Sequence, residues 1–149
     1  MTMQADLLAA MNKGVEADDT ANANRVAVQT ILAQVEQGLA TFAGAPVELV
    51  RQPRSGPSEA LMPPGVRHIL EPPARRYQVL AVKHGDATHD LCEWEEGALV
   101  FPVTLRFSKR TEVAFDAMSL VAALNDRLAT PAVGRILKHL RGPAARAAQ

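Results

Sequence analysis

Apolar side chains recur at helical spacing through the first forty residues, but in two separate stripes. Met3, Leu7, Leu8, Met11 and Val15 form the first, over residues 3 to 15. Val28, Ile31, Leu32, Val35, Leu39 and Phe42 form the second. At about 100° per residue, the two stripes sit roughly 110° apart around a common axis. One straight helix would therefore present two different apolar faces. The polar run EADDTANAN lies between them, and Asp18, Asp19 and Thr20 are natural helix caps. The pattern predicts two helices, or one kinked helix, over residues 3–43, ended by Gly44 and Pro46.

Residues 46–73 break the periodicity. Pro46, Pro53, Pro57, Pro63, Pro64, Pro72 and Pro73 place seven of the ten prolines there. Proline fixes φ and lacks a ladder donor, so a connector is expected, with one short edge strand at 47–51. From Tyr77 the period becomes two. YQVLAVK at 77–83 and THDLCEW at 88–94 read as strands joined at Gly85–Asp86, with Glu95–Gly97 as the next turn. Leu99, Phe101, Val103, Leu105 and Phe107 then alternate cleanly. Pro102 argues for an edge or a bulge. After a turn at Ser108–Thr111, residues 112–115 close a meander over 76–115.

Helical spacing returns over residues 116–141. Asp116 can cap a helix striped by Leu120, Val121, Leu124 and Leu128. Thr130–Pro131 starts another, striped by Val133, Ile136, Leu137 and Leu140 and stopped by Gly142–Pro143. A frayed tail over 142–149 is expected. An antiparallel sheet with one apolar face needs a cover, and the helices at both chain ends supply it. The expected fold is α+β: a meander of about four strands, with a possible extra edge strand, roofed on one face. The 149 residues suit a single domain.

Composition narrows the class without naming a reaction. Hydrophobic residues make up 48% and charged residues 21%, which excludes a wholly disordered chain. No apolar run reaches the roughly 20 residues of a membrane span, so no membrane partner is expected. The single cysteine, Cys92, cannot bridge internally, and a cytoplasmic setting is expected. Alanine and arginine richness suggests a bacterial origin.

Candidate chemistry is sparse. His84, Asp86, His89, Asp90 and Cys92 are ligand types that crowd one predicted hairpin, where His84 and His89 could face each other. Their spacing matches no standard metal motif, so the cluster reads as a polar turn. No nucleophile elbow, phosphate loop or dinucleotide glycine pattern occurs. No cofactor is expected, and the chain reads as non-catalytic.

Charge is segregated although the total is zero. Residues 1–40 and 77–116 are acidic; residues 41–76 and 117–149 are basic. Arg51, Arg54, Arg67, Arg75 and Arg76 line the proline-rich stretch, and Arg135, Lys138 and Arg141 lie on the last helix. These eight are the candidate partner-binding residues, since guanidinium forks suit phosphate and carboxylate. The expected function is protein–protein association by an adaptor, chaperone or immunity-like accessory subunit. A homodimer through the N-terminal helices is one form of it. The alternative is an accessory subunit that binds nucleic acid through the same arginines.

Overall fold

A computed structural model describes residues 2–56 and 75–147. The elements run α1 (Met3–Ala43), β1 (Glu48–Gly56), β2 (Arg75–His84), β3 (Ala87–Gly97), β4 (Val100–Phe107), β5 (Arg110–Ala114), α2 (Ala117–Leu128) and α3 (Pro131–Ala147). All five strands form one sheet in the order β1-β2-β3-β4-β5, each pair antiparallel. The α+β meander with terminal helices is thus what the chain adopts, and the extra edge strand is real.

The N-terminal region differs from expectation. It is one continuous helix of 41 residues, about 60 Å long. Thr2 caps it, accepting from the Ala5 amide; Asp18, Asp19 and Thr20 lie inside it. The polar middle holds helix because its side chains bond along the surface: Asn22 donates to Asp18, and Arg25 donates to Asn22. Gly44 ends the helix at φ 68°, as its position suggested.

Burial is uneven along this rod. Val28, Ile31, Leu39 and Ala43 are buried against the sheet and the other helices. Residues 2–16 are all exposed, and Ala21 is the first buried position. The second stripe therefore does the roofing that was expected of both.

The sheet also departs from expectation in places. β1 runs to Gly56 and includes Pro53, which an edge strand tolerates because one side needs no ladder bonds. The remaining connector residues, 57–74, lie outside the described residues. β3 continues through Glu95–Gly97, so the turn falls at Ala98–Leu99. The alternation of β4 holds from Val103: Val103, Leu105 and Phe107 are buried, while Thr104 and Arg106 are half-buried between them. It fails before that. Val100 takes φ 73°, which turns its side chain into the core and leaves Leu99 exposed.

Asp116 caps α2 through a reciprocal box with Ser119. Helix α3 passes through Gly142 and Pro143 to Ala147, beyond the expected stop. A proline this far along removes one ladder bond and leaves the earlier turns intact. The core joins Leu80, Val82, Trp94, Val103 and Leu105 of the sheet to Val28, Leu120, Leu124, Val133 and Leu140 of the helices.

Candidate docking surface

The described members of the expected basic footprint are spread over β1, β2 and α3. Arg51 sits on β1 and pairs with Glu96 of β3; Arg54 pairs with Asp90 at 3.2 Å. Both are thus engaged by carboxylates of the same sheet. Arg76 is exposed on β2. Arg67 and the side chain of Arg75 lie outside the described residues. Arg135, Lys138 and Arg141 lie on α3, which packs on α1. The Arg141 guanidinium stacks over the Phe42 ring at 3.9 Å from its centroid.

In the histidine-rich hairpin, His84 pairs with Ala87 and His89 with Val82, so the two histidines are diagonal neighbours and not direct cross-strand partners. His89 stacks instead against His139 of α3, with ring centroids 6.1 Å apart. Among the described residues, no group of three His, Cys, Asp or Glu side chains could hold a metal ion. Cys92 is buried, and burial pushes its thiol up to about 12. At neutral pH it is a protonated, packed side chain, not a nucleophile.

Sequence reading missed Arg127, the buried charge of α2. Its Nε donates to the Leu91 carbonyl, and its guanidinium lies 4.5 Å from the Phe107 ring centroid. Its position seven residues after Leu120, on the same stripe, was the available signal.

Among the described residues, two open apolar surfaces involve α1. One is a groove of about 380 Å³ between α1, α2 and α3, lined by Ile31, Val35, Phe42, Leu124, Leu128 and Leu137 among others. The other is the exposed half of α1. Met3 is 80% exposed, Leu7 53%, Leu8 56%, Met11 63% and Val15 62%. At 100° per residue Leu7, Leu8, Met11 and Val15 share one face, with Asp6, Lys13 and Glu16 on the opposite one. This is an amphipathic segment whose apolar side is exposed along its length.

The chain matches no family model, no curated protein and no solved structure. No helix among the described residues is long and apolar enough to cross a membrane.

Proposed function

We propose that this protein works by protein–protein association, as a non-catalytic binding module. The observation that carries the reading is the apolar stripe of α1 at residues 3–15, displayed beyond the sheet it would otherwise roof. A contiguous apolar patch of this kind marks an interaction surface. An unpacked helical stretch of about fourteen residues is also marginal in water by itself, because helices owe most of their stability to packing. A partner supplies that packing.

Its charge disfavours a lipid surface as the partner. Asp6, Glu16, Asp18 and Asp19 accompany the stripe, against Lys13 alone. Membrane-surface helices carry cationic polar faces. The paired states of Arg51 and Arg54 count against a nucleic-acid footprint on β1.

The test compares the tagged wild type with a Leu8→Ser/Met11→Ser variant in an extract of the native host. Both altered side chains are exposed, so far-ultraviolet dichroism of the core should not change. Proteins held by the wild type and lost by the variant support association through the stripe. Identical recovery by the two overturns it.

A further inference from the structure

We infer that the occupant of the exposed α1 stripe is the same stripe of a second copy, paired antiparallel about a two-fold axis at Met11. The inference rests on the association reading and names its partner.

The sequence is self-complementary about that point. An antiparallel two-fold keeps each flank of a helix against the same flank of its mate. Leu8 and Val15 lie on one flank of the stripe, and Leu7 and Gly14 lie on the other. Centring on Met11 sets Leu8 of one copy beside Val15 of the other, and Leu7 over Gly14. Met11 then meets its own counterpart.

Gly14 is the independent mark. It sits inside a helix, where glycine costs about 1 kcal/mol relative to alanine. A methyl group there would meet nothing within 4 Å, so no contact among the described residues requires glycine. A leucine from a facing helix would fill that space.

The register also fits the length of the overhang. With Met11 on the axis, Met3 of one copy reaches the level of Asp19 of the other. That stops short of Ala21, where the body begins. The full pairing thus uses only the exposed segment.

Area sets the strength. The five exposed side chains offer on the order of 500 Å² per copy, so pairing covers roughly 1,000 Å², the lower bound for a specific interface. The dimer is therefore weak and concentration-dependent. Its outer faces carry Asp6 and Glu16, Asp19 borders the seam, and Asp18 falls on it, level with Gln4 of the mate, so salt should strengthen the pairing.

Light scattering and sedimentation across a concentration series test the dimer directly. The wild type should pass from monomer to dimer, and Leu8→Ser/Met11→Ser should stay monomeric. Gly14→Ala should raise the dimer dissociation constant at least tenfold while increasing helix content. The register is read by cysteine cross-linking, because the native thiol at Cys92 is buried. Met11→Cys should form an intermolecular disulfide under mild oxidation, whereas Ala9→Cys, on the opposite face, should not. A wild type that stays monomeric throughout, or equal cross-linking of both cysteine variants, overturns the inference. The extract comparison would then still decide the broader association reading, since a different partner would give unequal recovery there.

Discussion

Arg127 of α2 donates its Nε proton to the main-chain carbonyl of Leu91 in β3, beneath the face of Phe107. A charged side chain thus ties a helix to the centre of the sheet. Its NH1 also reaches the Thr130 hydroxyl, which in turn faces the Val133 amide at the start of α3. One residue therefore links the sheet, the end of α2 and the cap of α3. Burial lowers its pKa from the ordinary arginine value, the expected direction for a cation removed from water.

Arg127→Ala should destabilise the fold by about 2–4 kcal/mol, because it empties a packed site and leaves the Leu91 carbonyl without this donor. Arg127→Met keeps the apolar stem and should cost less. Urea unfolding midpoints of the two variants check this. Equal losses would mean that the stem contributes nothing.

The buried thiol gives a prediction in pH. The Cys92 pKa is raised from 9.0 to about 12 in the fold, chiefly by burial. Below pH 9 both folded and unfolded chains hold the proton, and its contribution is fully present. Between pH 9 and 12 the unfolded chain binds fewer protons, so stability falls as pH rises, by up to about 1.4 kcal/mol per unit. Cys92→Ala lacks this slope. The stability gap between wild type and Cys92→Ala should narrow from pH 8 to pH 10.5 in urea titrations. A constant gap would refute the assignment. A thiol reagent at pH 8 should label the native chain only after denaturant is added.

Close packing at the β3–β4 turn makes a third prediction. A methyl group on Gly97 would sit 2.9 Å from the Phe101 carbonyl oxygen and 2.9 Å from Cδ of Pro102. Both are fixed parts of the turn, with no flexible side chain to give way. Gly97→Ala should cost about 1–3 kcal/mol, as backbone displacement does elsewhere. Differential scanning calorimetry reads it as a lowered Tm.

Much of this fold was legible in short patterns. Gly44, the Gly85–Asp86 turn, the Asp116 cap and the alternation at Val103, Leu105 and Phe107 act through local geometry, and the structure keeps all of them. Readings failed where tertiary context decided. A second apolar stripe implied a second buried face, yet residues 3–15 bury none, so no break was needed in α1. Val100 reads as facing away from the core until its positive φ is known. Arg127 went unread on its apolar stripe, and only its contacts with β3 and β4 reveal it as buried. Of the eight candidate basic residues, Arg51 and Arg54 found acidic mates across the sheet, which no linear charge count reveals. The same distinction explains the docking surface. The stripe at 3–15 was visible as an apolar pattern, but its exposure was not.

Glu96 carries the last prediction. Its Oε1 accepts from both Arg51 and the indole Nε1 of Trp94, the latter at 3.1 Å. Trp94 is buried among the core residues and is the only tryptophan, so the indole fluorescence reports on the surroundings of this one ring. Glu96→Gln keeps the size and an acceptor oxygen but removes the charge that holds Arg51. The ion pair is roughly one-third exposed, so its screened contribution is about 1 kcal/mol or less. The variant should unfold slightly earlier while the emission maximum stays where a buried indole places it. Glu96→Ala removes both bonds and leaves the Trp94 donor without this acceptor. It should cost more, about 1–3 kcal/mol, and shift the native emission as the ring loosens. Should Glu96→Gln and Glu96→Ala give the same midpoint and the same spectrum, the indole bond adds nothing. Glu96 would then serve only to neutralise Arg51.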